Sequence, residues 1–328
     1  MASPFSENLR KLLPYLITII LLVVIFQRVS ITATFEHFHG RKIWELVVFA
    51  SFFYIYTFFA NSFSYYILFH QMKRPINFWE ILSIRGASYL LTALNSGVGQ
   101  GGMALWVSRK KSMPIKEVIS MMLMFPVVDM TFMAIMLSIS LLLHCLGTCV
   151  LPPVHANILY WALLAMWSIL IIHYSLWLTG FLPKHSRFFR ESALLCAYRN
   201  AGVKNYLALL GARTLINFPG MLAYYTGLKL FGVVVPFWFF VVRFFPTLVI
   251  QGLPITIGQL GTSQTAWILM YKDLANPEKL NAFSLLWITV YNLSRIIIGA
   301  IFFRGEAKFY FEKIRAAERD GKKAAPSE

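Results

Sequence analysis

Acidic residues are scarce in this chain of 328 residues. Only 14 Asp and Glu stand against 30 Lys and Arg, for a formal net charge of +16. Charged residues of both signs make up 13% of the sequence, against about 25% in soluble proteins. No hydrophilic stretch is long enough to fold as a soluble domain, the longest being residues 183–205 and 304–328. There are three cysteines, and no His, Cys or carboxylate spacing suits a metal ion. A Ser-His-Asp arrangement, a His-Glu metal motif and a phosphate-binding P-loop are all missing. The seven histidines fall mostly at the ends of predicted spans, where an interfacial place explains them. These absences argue against an enzyme and predict neither cofactor nor metal. The basic excess does not point to nucleic acid, because it lies in short loops between apolar runs, as in multi-pass membrane proteins.

Apolar sequence fills the rest. Hydrophobic residues make up 58% of the chain, and mean hydropathy is +0.63. Runs of roughly 20 apolar residues, enough to cross a bilayer, recur throughout. The sequence predicts an all-α integral membrane protein. Complete spans are expected near 12–27, 43–69, 118–145, 157–182, 206–230 and 281–303. The first reads as a signal anchor that is kept. Two further apolar regions, 81–108 and 237–271, are interrupted by Gly-Gln turns. One turn is Asn95-Ser96-Gly97-Val98-Gly99-Gln100-Gly101-Gly102, and the other is Leu253-Pro254-Ile255-Thr256-Ile257-Gly258-Gln259-Leu260-Gly261.

Basic loops orient the chain. The loop 146–156 has no Lys or Arg, whereas the next holds Lys184, Arg187, Arg190, Arg199 and Lys204. Positive loops stay on the cytoplasmic side, so both termini and the basic tail 306–328 are predicted inside the cell inner membrane. The count closes only if 81–108 enters and returns on the inside and 237–271 on the outside. That gives six full spans plus two re-entrant segments in an inverted repeat. The repeat units, about 43–145 and 206–303, lie in a single polytopic domain, 1–305. A kinked full span at each Gly-Gln turn is the alternative. Matched broken segments in two repeats point to a transport site between them.

Several polar residues lie at membrane depth. Asp129 sits near the middle of a predicted span, and Arg295 occupies the corresponding span of the second unit. A charge at a helix centre costs about 2.5–3.5 kcal/mol on insertion scales, so each needs a partner. The two are predicted to face each other, either as a structural pair or as a charged site for a headgroup or a proton. Arg85 and Arg243 each precede a Gly-Gln turn. Either they snorkel, or their guanidinium forks bind phosphate. Asn95, Gly99, Gln100, Gly258, Gln259 and Gln264 offer close backbone approach and hydrogen bonds to a ligand, or simply close helix packing. Arg213, ahead of Asn217 and the Pro219-Gly220 pair, is a further candidate.

At these residues the chain resembles the lysylphosphatidylglycerol synthase transmembrane-region family, a flippase-like membrane domain. In that family an Arg opens a segment broken at a Pro/Gly-rich turn, followed by a basic stretch and a span with a buried Asp. Arg85, Asn95 to Gly102, Arg109 to Lys111 and Asp129 fit in that order. Leu253-Pro254, Gly258 to Gly261 and Arg295 fit the second block. Two departures stand out: Asn95 replaces the usual Pro, and Gln264 stands where Glu is common. The resemblance implies translocation of a membrane lipid or lipid-linked group between leaflets. The namesake synthase activity belongs to a soluble C-terminal domain and is not expected here. The alternatives are a non-catalytic scaffold for a separate lipid-modifying enzyme or glycosyltransferase, and a small-solute transporter.

Overall fold

The computed structural model describes residues 41–94, 96–147, 153–251 and 259–323. The predicted span 12–27 and the turn residues Asn95 and Gly258 lie outside them. Helix accounts for every regular element among the described residues. In order these are α1 (Arg41–Gln71), α2 (Phe78–Leu94), α3 (Ser96–Lys110), α4 (Ile115–Met122) and α5 (Met124–Cys145). They continue as α6 (Pro153–Leu178), α7 (Phe181–His185), α8 (Arg187–Glu191), α9 (Cys196–Asn200) and α10 (Val203–Leu230). The last are α11 (Phe237–Gln251), α12 (Thr262–Tyr271) and α13 (Pro277–Lys323).

Among the described residues, four segments are long and apolar enough to cross a membrane: 43–71, 115–145, 159–178 and 277–303. Their outer faces expose Trp44, Phe52, Trp161, Ile172, Ile297 and Ile301. In water such a surface would be an aggregation liability; against lipid it is the ordinary exterior. Helix α10 has 28 residues, but Arg213, Asn217 and Pro219 make it less apolar. The chain is a multi-pass, all-α membrane protein.

The predicted span 118–145 is two helices that meet at Leu123. Pro126 has no N–H to give to the carbonyl of Met122, and its ring crowds that carbonyl. The Tyr198 hydroxyl donates to the Leu123 carbonyl at the break, 2.5 Å away. Burial pushes the Tyr198 phenol up to about 12, so it stays a donor at any ordinary pH. Ser120 accepts the Ala197 N–H at 3.0 Å. The basic loop is thereby tied under α4.

Both Gly-Gln regions are helical hairpins rather than kinked spans. In the first, Glu80 at the start of α2 pairs with Lys111 just after α3, at 2.5 Å. In the second, the Tyr271 hydroxyl donates to the Phe240 carbonyl at 3.1 Å, and Arg243 pairs with Asp273. In each, the two ends of the broken segment return to the same level. Glycine explains how the first closes. A Cβ on Gly99 would strike Thr92, and one on Gly102 would strike Leu91, so only hydrogen lets α3 lie this close to α2.

The chain thus repeats helix, hairpin, helix twice: α1, α2/α3, α4–α5, and then α10, α11/α12, α13. The halves interlock. Helix α1 packs on α10, α2 on α13, and α11 on α5. Tyr56 bonds the Leu215 carbonyl, Ser64 that of Ala212, and Asn205 that of Gln71. Partner numbers fall as α1 advances, so the opening helices of the two halves run antiparallel. Between α2 and α13 the contact is close because both helices offer glycine. A Cβ on Gly299 would sit 2.6 Å from the Leu90 nitrogen, and one on Gly86 2.5 Å from the Phe302 ring. Small residues are how helices associate where lipid removes most of the hydrophobic drive.

Candidate functional site

Interlocking brings α1, α2 and α13 together around a polar cleft of about 320 Å³, counting its open mouth. Two arginines line it. Arg85, from α2, is buried, with its guanidinium carbon 5.2 Å from the Tyr65 ring centre and 4.8 Å from that of Tyr89. Arg295, from α13, is half-buried and lies 5.4 Å from the same Tyr89 ring and 4.4 Å from Tyr291. One ring is thus shared by two cations. No carboxylate among the described residues pairs with either arginine. The Nε of each is buried and unbonded, and the Arg85 Nη1 lies 3.9 Å from the Met103 sulfur. Cation–π contact contributes about 0.5–2 kcal/mol each. It adds no negative charge, so the two cations keep their mutual repulsion.

Beside this cleft lies a larger lobe of about 810 Å³, built from α1, α5, α10, α11, α13 and Gln259 of the second turn. Tyr54 and Tyr291, whose rings pack 4.8 Å apart, line both volumes, so the two lobes of the groove adjoin across this aromatic pair. The larger lobe holds the amides of Asn217, Gln251 and Gln259 and the phenol of Tyr224. Gln251 donates to Gln259 at 3.1 Å, and Gln259 adopts a positive φ of 63°.

Asp129 does not face Arg295. Its partner is Arg213, in a two-pronged pair of 2.5 and 2.8 Å. Arg213 also donates to Asn61 Oδ1 at 3.3 Å and lies over the Phe125 ring. The expected pairing fails for a geometric reason. Helix α5 packs on α10, whereas α13 packs on α1 and α2, so equivalent positions in the two halves acquire different neighbours. Asn61 lines the cationic cleft as well, and through it the Asp129–Arg213 pair borders the groove.

Arg243, almost wholly buried, donates to Asp273 at 2.5 and 2.8 Å and to the Met270 carbonyl at 2.8 Å. It clamps the second hairpin and has little left for a ligand. Gln264 is committed through its Oε1, which accepts the Gly261 N–H at 2.6 Å and so caps α12, while its buried Nε2 has no partner among the described residues. Gln100 is exposed, and neither it nor Gly99 lines the groove. Of the residues picked from sequence, Arg85 and Arg295 share one lobe and Gln259 lines the other.

Sequence reading missed Asn61, Tyr54, Tyr89 and Tyr291. A signal was present for the last two. Tyr89 follows Arg85 by four residues and Tyr291 precedes Arg295 by four. That spacing stacks an aromatic face on a cation one helical turn away.

Helices, hairpins and groove together describe a polytopic membrane protein with an internal cationic site. The chain matches the family described as the lysylphosphatidylglycerol synthase TM region over residues 11–299, and it belongs to that family. No curated protein and no solved structure matches it.

Proposed function

We propose that this protein translocates a phosphate-bearing lipid between the leaflets of the cell inner membrane. One observation carries the reading: Arg85 and Arg295 flank a single cleft without a carboxylate partner among the described residues. A phosphate between them would offset one of the two charges and accept from both planar forks. The family supports a role in lipid modification or transport. The missing catalytic motifs favour transport over chemistry, with no cofactor.

The architecture supports an inverted repeat. Opening helices that run antiparallel suit an axis in the membrane plane, as in transporters built from two opposed halves. On that reading the hairpins are re-entrant, one from each face, and the basic loops hold both termini in the cytoplasm.

The test is a proteoliposome assay with a fluorescent phosphatidylglycerol, in which dithionite quenches the outer leaflet. Reconstituted protein is expected to make the inner-leaflet pool accessible, with or without an imposed proton gradient. Rates equal to those of protein-free vesicles under every condition would end this reading. A scaffold for a separate lipid-modifying enzyme would then take its place.

A further inference from the structure

We infer that the headgroup beyond the phosphate is a neutral polyol, such as a sugar or a glycerol, rather than an amine. This rests on the reading of the cationic lobe as a phosphate site and adds the chemistry of its neighbour. The two lobes adjoin across Tyr54 and Tyr291, so a headgroup that extends past this pair from a phosphate at Arg85 and Arg295 reaches the larger lobe. No Asp or Glu is among the described residues that line either lobe. Residues 252–258, between Gln251 and Gln259 in the sequence, contain no acidic residue either. Asp129, whose pair borders the groove through Asn61, is held by both arms of the Arg213 fork.

An ammonium in the larger lobe would therefore meet two nearby guanidiniums, which the lipid's single phosphate charge only half offsets, and no carboxylate among the described lining residues. In a site of low dielectric that arrangement repels. A polyol meets groups suited to it. The amides of Asn217, Gln251 and Gln259 each present both a donor and an acceptor, as a ring of hydroxyls does. The buried Gln251 Oε1 has no hydrogen-bond partner and can accept a hydroxyl. Phe53, Tyr224 and Phe244 supply flat apolar faces for the C–H side of the ligand.

The test measures binding of three short-chain lipids to the purified protein in mild detergent, by intrinsic tryptophan fluorescence. Dioctanoyl phosphatidylinositol carries a phosphate and a polyol. Dioctanoyl phosphatidylethanol carries the same charge and no polyol. Dioctanoyl phosphatidylethanolamine carries an ammonium. The inositol lipid is expected to bind about tenfold tighter than phosphatidylethanol, the effect of one good hydrogen bond, and the ethanolamine lipid weakest. Gln251→Leu should bring the inositol lipid down to the level of phosphatidylethanol, whose own affinity stays unchanged. Gln259→Leu, at the half-buried turn, provides the same reading if Gln251→Leu does not fold.

Arg85→Gln, or Arg295→Gln if that variant does not fold, separates the two claims. Equal binding of the inositol and ethanol lipids, both weakened by the arginine change, overturns the polyol assignment and keeps the phosphate site. Tightest binding of the ethanolamine lipid overturns the polyol assignment as well. Undiminished binding in both arginine variants overturns the phosphate site itself, and the polyol assignment with it. Absence of saturable binding to the folded wild type does the same.

Discussion

At the scale of single residues, the four intramembrane arginines fall into three kinds of surroundings, and each kind dictates its own outcome. Arg213 is held by Asp129, and the pair is only partly shielded, with side-chain exposures of 14% and 35%. Asp129→Ala leaves the better-buried guanidinium unanswered, so it should cost more than Arg213→Ala, about 1–3 kcal/mol. The double change should lose less than the two singles together. Thermal unfolding in detergent measures this, and simply additive losses would mean that the two are not coupled. Arg243 is also paired, but as a clamp. Asp273→Ala is expected to lower the melting temperature and leave lipid binding intact; lost binding with unchanged stability would place Arg243 in the substrate path instead. Arg85 and Arg295 have only aromatic faces. Arg85→Gln is expected to slow translocation about 10–100-fold, the range for a lost charged hydrogen bond. Arg85→Lys should fall between, since it keeps the charge and loses the fork. Wild-type rates in the Lys variant would reduce Arg85 to a cation seeking water.

At the scale of elements, the hairpins depend on contacts that admit no extra atom. The backbone of Leu90 leaves no room beside Gly299. Gly299→Ala should push α13 off α2 at a cost of about 1–3 kcal/mol and open the cationic cleft. Gly101, which faces open space, is the control: Gly101→Ala should be neutral in the same melting experiment. The base of the first hairpin is pH-sensitive. The hydrogen bond and charge of Lys111 hold the Glu80 carboxyl below its ordinary range. A depressed carboxyl contributes stability above its unfolded value, and loses it as pH falls through the lower folded value. Stability of the wild type is therefore expected to decline below about pH 4.3 more steeply than that of Glu80→Gln. Parallel acid limbs would show that the pair adds nothing. Solvent screening keeps this effect small.

At the scale of the whole molecule, the proposal of opposed halves makes a prediction about sides. Ser112 follows the first hairpin, and Asn276 follows the second. In a variant without native cysteines, a cysteine at Ser112 should react with an impermeant thiol reagent only from the cytoplasm. One at Asn276 should react only from outside. Labelling of both from one side would mean that the halves are parallel, and a transport path between opposed hairpins would have to be abandoned.

Local and compositional features were legible in the sequence alone. Apolar length set the spans, because lipid requires about 20 residues of satisfied backbone. The Gly-Gln sequences marked the two apolar segments that break, although in the first the expected turn is helical from Ser96 on and its glycines serve the close packing of α3 on α2. Arg85 and Arg295 stood out because a charge in lipid is rare and costly. What sequence could not supply was the partner of each charge. Asp129 and Arg295 occupy matching places in the two halves, and matching places suggested a pair. The halves interlock instead, so α5 meets α10 and α11 while α2 meets α13. Asp129 thus falls to Arg213, and Arg295 joins Arg85 around Tyr89. Charge pairing acts over a few ångströms between helices far apart in the chain, so helix packing decides it, and no spacing within one helix encodes it.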